Sequence, residues 1–540
     1  MEAVACGGGS IEIGNDANAS FQNGNLSNET MRSWMSNGLS EAWSDARRFR
    51  WVLIALMLLA LAARAQSITG PMYSIDGYIG GDPASYRLFL ANGRWGLVAL
   101  LWLRAKLGYV GMDVTPSALI LSIGLFAGAG FLYARVLLGK LSASEFLIFA
   151  ALFTLHPFNT EFYTFSDATL DIALSAFLAA AGRACAGASA RSGLGAATGG
   201  LLVLVALSIY QLAIAHVVVV SLLTIVERMT RPDSAQRERG LRPLFVTAPA
   251  RALAIAIAAA IVFLLTMLIT PYVFGVALSE RADLSGVPDI GAKIATLATA
   301  VRLAFRPIPG LIPSAVSTLL IGILAFSAVA ILVSILFRRG WAMMLAGGAL
   351  IAAAMLCSVG IPAASKVTWL VPRVLSPFSI FAAGVTVLGW RCMRPSWARC
   401  AVGVALAALL VAYVGASNRI LYDQRRVNLW DMQQANRVLA RLELDPHFHD
   451  MRALAFVNGD WGRTTQLPTV VGDLNISAFN APLPSKLGLM AQATGSTFAP
   501  PSEIELQTAA RYCASAGAWP AGDSVVIANG LGIVCLPPPR

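Results

Sequence analysis

The sequence is poor in charge and lacks the common catalytic motifs. Only 13% of its 540 residues are charged, and it has four histidines and seven cysteines. It contains no Walker loop, no HExxH, CxxC or GxSxG motif, and no G-x-G-x-x-G between a strand and a helix. The nucleotide-binding, zinc and serine-hydrolase chemistries of those motifs are therefore excluded. If the chain is an enzyme, its acids and arginines must carry the chemistry.

Metal ligands are also scarce. The segment "DPHFHD" places His447 and His449 two residues apart, but no third histidine and no cysteine lies nearby in the sequence. This pattern favours an ordinary polar turn, and we predict no metal site here. A divalent cation as a cofactor of the reaction is a separate alternative.

Hydrophobic residues dominate instead. They make up 57% of the chain and its mean hydropathy is +0.67, which is typical of a protein that lies in a bilayer. We predict a mainly α, polytopic helical membrane protein, because a span needs about 20 apolar residues. The eleven predicted spans are Trp51–Gln66, Pro116–Leu138, Glu145–Phe158, Asp167–Gly182, Leu194–Ile209, Leu212–Ile225, Ala250–Phe274, Leu311–Phe337, Trp341–Val359, Leu375–Trp390 and Cys400–Val414.

Arginine-rich loops predict the orientation, because cationic loops stay in the cytoplasm. All of these arginine-rich loops lie on the cytoplasmic side only if the chain turns back at Tyr210-Gln211 and if the segment "LVALLWLRAKLGYV" does not cross the membrane. Arg104 and Lys106 make that segment amphipathic, which suits it to the interface. The N-terminus is then cytoplasmic and the C-terminus outside. The loops predicted to lie outside are 74–96, 156–167, 279–310 and 361–372.

The tail after Asn418 has a different composition. From Arg419 to Arg540 it holds ten basic and ten acidic residues, so the net charge of +11 belongs to the membrane half. That charge indicates topology and not a nucleic-acid partner. Three regions follow: a disordered cytoplasmic segment (1–45), a membrane domain with outer catalytic loops (46–418) and a small periplasmic α/β domain (419–540).

Two patterns support structure in the tail. The segment "VNLWDMQQANRVLARL" spaces Val427, Trp430, Val438 and Leu442 on one helical face, and "SVVIANGLGIVCL" predicts a hairpin around Asn529-Gly530. Cys513 and Cys535 are the only cysteines in the tail. In an exported domain such a pair predicts a disulfide, and two buried free thiols are the alternative.

Arginine outnumbers lysine by 35 to 5, as in proteins from GC-rich bacterial genomes. We therefore predict a bacterial inner membrane, with the outer loops in the periplasm.

The loop "SIDGYIGGDPASYRLFLANGRWG" is crowded with polar groups. An acid just outside the first span, an amphipathic segment and further acids outside the third span resemble the layout of GT-C-type membrane glycosyltransferases. The segments "IDGYIGGD", "HPFNTEFYTFSDATLDIALS", "LSIYQLAIAHVVV", "VPRVLSPF" and "DQRRVNLWDMQQANRVL" follow in order. Together they resemble the O-antigen serotype-converting glucosyltransferases over about Trp51 to Pro538. That family has paired acids where this chain has Asp76-Gly77.

The resemblance implies transfer of a sugar, glucose in that family, from a polyprenyl-phosphate donor to a lipopolysaccharide O-antigen or another surface glycan. It also implies two partner proteins, an enzyme that charges the lipid and a flippase that delivers it. Asp76 is the expected base, and either this one acid suffices or Asp82 replaces the second acid of the pair. Arg94 and Arg373 are expected to bind the lipid phosphate, with Arg87 and Lys366 in reserve.

Four further residues are candidates for the sugar site. They are acids outside the third span and aromatic residues of the first outer loop: Glu161, Asp167, Tyr78 and Trp95. Each has an ordinary structural interpretation, since acids cap helices and pair with arginine, and aromatic residues anchor at the membrane interface.

Other functions fit part of the pattern. A transporter or flippase would place ionisable residues in mid-membrane, whereas the charges here cluster in outer loops. An O-antigen polymerase or ligase would use arginines in one large outer loop. A non-enzymatic envelope scaffold is the third alternative.

Overall fold

The computed structural model describes residues 44, 47–70, 72–79, 83–109, 115–165, 168–188, 193–231, 248–280, 282, 289–308, 310–367, 369–459 and 467–538. The predicted N-terminal segment 1–45 lies almost entirely outside this part of the chain. Two compact units are present, Met1–Ala55 and Leu56–Arg540, and every site described below lies in the second.

Helices account for most of the described residues. In chain order they are α1 Arg50–Ala63, α2 Ala65–Ile68, α3 Pro83–Ala91, α4 Trp95–Lys106, α5 Thr115–Leu138, α6 Ala143–Leu155, α7 Thr169–Ala188, α8 Gly193–Ile209, α9 Ala213–Thr230, α10 Ala248–Phe274, α11 Ile290–Phe305, α12 Ser314–Arg339, α13 Trp341–Gly360, α14 Phe378–Cys392, α15 Ser396–Glu443, α16 Leu483–Thr494 and α17 Glu503–Cys513. The described residues also form three strands: β1 Ala453–Val457, β2 Val525–Ala528 and β3 Leu531–Cys535.

Many of these helices suit a bilayer. Within the described residues, eight are long and apolar enough to cross a membrane, and α1, α6 and α8 are shorter apolar helices. These eleven correspond in order to the eleven predicted spans. The mainly α, polytopic fold is therefore confirmed, and the orientation stays a prediction.

Burial separates the central helices from the peripheral ones. The apolar windows of Ala213–Thr230 and Pro372–Cys392 are 78% and 89% buried, whereas that of Ala248–Phe274 is 28% buried. Leu265, Leu268 and Ile269 on α10 are exposed. Helices α9 and α14 therefore form the centre of the bundle, and α10 presents an apolar face to its surroundings, as a lipid-facing helix does.

Local sequence explains several helix ends. Ser142 and Glu145 form a capping box at the start of α6, in which each side chain accepts a hydrogen bond from the other residue's backbone nitrogen. Helix α8 ends at Ile209 and α9 begins at Ala213. The predicted interruption at Tyr210-Gln211 is thus present.

Helices also form outside the predicted spans, among them α3, α4 and α11 in or beside the predicted outer loops. Helix α4, of 12 residues, covers most of the amphipathic segment, and its Arg104 forms an ion pair of 2.9 Å with Asp171 in the first turn of α7. Helix α11 forms inside the predicted outer loop 279–310, where Asp289 caps it by accepting a hydrogen bond from the Ala292 nitrogen. Whether α4 lies along an interface stays a prediction.

Helix α15 links the membrane helices to the tail. It has 48 residues, so it is about 72 Å long, well beyond the thickness of a bilayer. The predicted domain boundary at residue 419 falls inside this continuous helix. The three-region division itself stays a prediction.

The tail contains a small three-stranded sheet in the order β1-β3-β2. Strands β1 and β3 are parallel, and β2 and β3 form an antiparallel hairpin. Asn529 and Gly530 both have positive φ in its two-residue loop, as a type I′ turn requires, so the predicted hairpin is confirmed. A disulfide joins Cys513, at the end of α17, to Cys535 in β3.

The predicted helical face in the tail is partly wrong. Val427, Val438 and Leu442 are buried, but Trp430 is 49% exposed. Asp431 occupies the buried side instead. Its carboxylate accepts hydrogen bonds from Ser477 Oγ at 2.5 Å and from the Ala478 nitrogen at 2.8 Å, and these bonds offset the cost of burying it.

Candidate active site

The loop that carries Asp76 is tightly held. Tyr73 forms an antiparallel bridge with Phe165, and the Ser74 nitrogen donates to the Thr164 carbonyl at 2.8 Å. The Gly77 nitrogen closes a turn by donating to the Ser74 carbonyl at 3.0 Å. Asp76 therefore lies in a turn whose two ends are fixed by backbone hydrogen bonds.

Asp76, Arg94 and Arg373 line the same cavity. Three separate segments of the chain thus bring one carboxylate and two guanidinium groups together. The other residues that line the cavity are aromatic or aliphatic: Phe89, Leu97, Phe165, Ala168, Ile172 and Tyr210. The arrangement is an apolar pocket with a few convergent charged groups, which is typical of a ligand site.

Arg373 is held on several sides. Its backbone nitrogen donates to Glu161 Oε2 at 2.7 Å, its Nη1 donates to Glu161 Oε1, and its Nη2 lies 2.6 Å from Asp473 Oδ2. The guanidinium also lies over the Phe165 ring, 4.9 Å from its centroid. These contacts leave it little rotational freedom, as expected for charge-assisted bonds to two carboxylates.

Glu161 is fully buried in the 3-10 helix Pro157–Thr164. Burial raises the pKa of the Glu161 carboxyl, Arg373 opposes that rise, and the nearby Asp473 carboxylate adds to it. The net direction of the pKa is upward, because burial outweighs the attraction of Arg373.

Arg94 immediately precedes α4 and faces the break between α8 and α9. Its guanidinium lies over Tyr210, 5.2 Å from the ring centroid, and its Nε donates to Gln211 Oε1 at 3.3 Å. Gln211 in turn donates to the Asn92 carbonyl at 2.5 Å. The interruption of the helix at Tyr210-Gln211 thus supplies the surface on which Arg94 rests.

Several other candidates lie elsewhere. Arg87 is exposed on α3, and Lys366 lies 4.0 Å from Glu280. Trp95 donates through Nε1 to Thr266 Oγ1 at 3.1 Å, and Tyr78 packs in the core of the tail. None of these four is among the described residues that line the cavity.

Asp82 and Asp167 lie outside the described residues, so their predicted roles stay predictions. Among the residues that the structure describes, no group of three or more His, Cys, Asp or Glu side chains is placed to hold a metal ion. Glu161 and Asp473, the carboxylates beside Arg373, instead bind that arginine.

Sequence reasoning missed part of the site. Asp473 follows no motif and lies in the tail, far from Arg373 in the chain. The sequence does not predict a role in the site for Phe89 or Phe165, although the aromatic content of the outer loops is a signal. For Tyr210 and Gln211 it predicts only a turn.

A second charged cluster lies at the opposite ends of the same helices. Arg391, at the end of α14, pairs with Glu145 at 2.8 Å and with Glu227 at 3.1 Å, and Arg231 pairs with Glu227 at 2.8 Å. Helix α6 begins at this cluster and ends just before the 3-10 helix that carries Glu161 on the cavity side. The cavity therefore lies at one end of the bundle and the second charged cluster at the other.

Comparison with known proteins identifies the family. The family model described as "Glucosyl transferase GtrII" matches residues 68–388. This range includes Asp76, Arg94, Glu161 and Arg373, and it ends before the tail. No curated protein and no solved structure was found to match the chain. Because the matched range covers more than half of the sequence, the chain belongs to the GtrII glucosyl transferase family.

Proposed function

We propose that this glucosyl transferase moves glucose from a polyprenyl-phosphate donor to an O-antigen or another surface glycan. The observation that carries the proposal is the joint lining of one cavity by Asp76, Arg94 and Arg373. A carboxylate suits the acceptor hydroxyl, and two guanidinium groups suit a phosphate.

The apolar part of the cavity supports a lipid-linked donor. Phe89, Leu97 and Ile172 contribute to a mostly apolar lining, and the cavity lies at the end of a bundle of apolar helices. A donor with a charged headgroup on an isoprenoid chain matches this lining, because its headgroup suits the charged residues and its chain suits the apolar ones.

The chemistry assigns one task to each group. The bond between the sugar C1 and the phosphate oxygen breaks through a transition state with oxocarbenium character, and the phosphate keeps the electron pair. The acceptor oxygen forms the new bond to C1, and its proton passes to Asp76. Arg94 and Arg373 stabilise the negative charge that develops on the leaving phosphate.

The distribution of arginine supports a periplasmic active site in a bacterial inner membrane. Arg231 and Arg391, from two of the basic loops, meet in the cluster at the opposite end of the bundle from the cavity. Cationic loops favour the cytoplasm, so the cavity would face the periplasm. The donor would then be charged on the inside and delivered by a flippase.

Two other functions account for fewer observations. A transporter would use ionisable groups in mid-membrane, whereas both charged clusters described here lie at helix ends. A polymerase or ligase would accept a lipid-linked oligosaccharide as its donor, so the donor specificity separates it from a glucosyl transferase.

The test is transfer of labelled glucose from polyprenyl-phosphate glucose by the purified full-length chain, normalised to inserted protein. Asp76→Asn keeps the size of the side chain but removes the base, so turnover should fall by about 10² to 10⁴ while donor binding is retained. Asp450→Asn is the matched control, because that carboxylate is exposed, and it should match the wild type. Full turnover in Asp76→Asn would exclude its role as the base.

A further inference from the structure

A carboxylate from the tail contacts Arg373, one of the two arginines that line the cavity. Asp473 is buried, and its Oδ2 lies 2.6 Å from Arg373 Nη2. It lies beyond residues 68–388, the range that matches the family. A group outside the matched range therefore contacts a residue that lines the proposed donor site.

Helix α15 holds the segment around Asp473 on both sides. On one side, Thr469 Oγ1 donates to Asp423 at 2.5 Å. On the other, the Asn475 nitrogen donates to Gln424 Oε1 at 2.7 Å. These bonds are buried, so the segment is fixed to the helix and the position of Asp473 is not left to a free loop.

The same helix face holds the loop of Asp76. Asn428 accepts a hydrogen bond from the Tyr73 nitrogen at 3.0 Å and donates to the Tyr73 carbonyl at 3.0 Å. Gln424 Nε2 also donates to that carbonyl, at 2.8 Å. Gln424 thus joins the Asp76 loop and the Asp473 segment to one helix.

Close packing brings the segment to Arg373. Gly472 has a φ of +61°, and a Cβ at this position would lie 2.9 Å from Val371 Cγ1 and 3.1 Å from Pro372 Cδ. Only glycine allows this approach without a shift of the neighbouring atoms. The residue next in sequence, Asp473, is thereby placed against the guanidinium.

We infer that Asp473 is a positioning residue for donor binding, which orients the Arg373 guanidinium into the cavity. Glu161 binds Nη1 and Asp473 binds Nη2, so the planar fork is fixed from two directions. An arginine side chain held in this way loses less freedom when it binds a phosphate. The inference rests on the proposed function, and it makes the tail a part of the donor site.

The experiment measures the binding of polyprenyl phosphate, without sugar, to the purified full-length chain. Asp473→Ala removes the acceptor and should weaken binding about 10-fold. Asp473→Asn keeps an oxygen acceptor and should bind within about 3-fold of the wild type. Asp450→Ala is the control for loss of an exposed carboxylate from the tail and should have no effect.

A second arm tests whether Asp473 acts through Arg373. Arg373→Lys keeps the charge but has no planar fork, so Asp473→Ala should cost less than about 3-fold in that background. Equal costs in the two backgrounds would overturn the inference. So would equal or tighter binding by both Asp473 variants, because Asp473 would then act only as a repulsive charge.

The binding assay also separates this inference from the proposed function. If the wild type binds polyprenyl phosphate but transfers no glucose, the proposed reaction fails while the role of Asp473 is still tested. If the wild type does not bind the lipid at all, both fail.

Discussion

Glu161 receives two hydrogen bonds from Arg373, one from the backbone nitrogen at 2.7 Å and one from the guanidinium, across 212 residues of sequence. The bonds tie the segment after α6 to the segment before α14. The guanidinium binds a second buried carboxylate, Asp473. The cluster of Glu161, Arg373 and Asp473 therefore contains two carboxylates and one guanidinium. Substitution of Glu161 and of Arg373 should lower the stability of the protein by different amounts.

Loss of the cation should destabilise the protein more than loss of Glu161. Arg373→Gln leaves two buried carboxylates without their cation, which should cost about 3 to 5 kcal/mol in the free energy of unfolding. Glu161→Gln leaves Arg373 paired with Asp473 and, at about pH 4.5, where the wild-type carboxyl is still mostly neutral, should cost about 1 kcal/mol. The measurement is thermal unfolding of the purified protein in detergent.

Arg511→Gln is the matched control for this pair, because Arg511 is exposed on α17, and it should unfold like the wild type. Equal losses for Glu161→Gln and Arg373→Gln would mean that Glu161 alone balances the guanidinium.

The sequence predicted the groups of this site better than their partners. Asp76, Arg94 and Arg373 lie in or beside loops between apolar spans, and the resemblance to the glucosyltransferases together with residue type selects them. Asp473 could not be selected in this way, because nothing in the local sequence indicates a contact with an arginine so far away in the chain. Long-range pairing depends on the course of α15, which no local pattern encodes.

The tail shows how a correct pattern can give a wrong face. Helical spacing predicts that Trp430 lies on the same face as Val427. That face is expected to be buried, since aromatic side chains are often buried. The helix instead turns Asp431 inward, where Ser477 and the Ala478 nitrogen satisfy it. Tyr78 differs from its prediction in the opposite direction. As an aromatic residue of an outer loop it is a candidate for the sugar site, but it is buried in the core of the tail, where its hydroxyl accepts a hydrogen bond from Asn428.

The raised pKa of Glu161 predicts a pH-dependent stability. Burial favours the neutral carboxyl in the folded protein, so the folded state binds more protons than the unfolded state above the ordinary glutamate pKa of about 4.3. The contribution of Glu161 is fully present below that value and is lost as the pH rises through the raised pKa. The wild type should therefore lose stability relative to Glu161→Gln, by up to about 1.4 kcal/mol per pH unit.

Thermal unfolding of both proteins measures this difference, over a range from about pH 4.5, just above the ordinary glutamate pKa, to about pH 8. A wild type that gains stability over Glu161→Gln as the pH rises would show that the attraction of Arg373 outweighs burial.

Gly488 offers a test of how the tail holds the Asp76 loop. It lies in α16, and a Cβ at this position would overlap the Tyr78 carbonyl oxygen and lie 2.8 Å from its carbon. Both atoms belong to the backbone, so Gly488→Ala must displace either α16 or the loop that carries Asp76. We expect a loss of about 1 to 3 kcal/mol in stability together with a fall in glucose transfer.

Gly415→Ala is the control, since Gly415 is also helical and nothing lies within 4 Å of its Cβ position. This change should be neutral or stabilise the helix by up to about 1 kcal/mol. If Gly488→Ala keeps both the stability and the transfer rate of the wild type, α16 does not set the position of the loop.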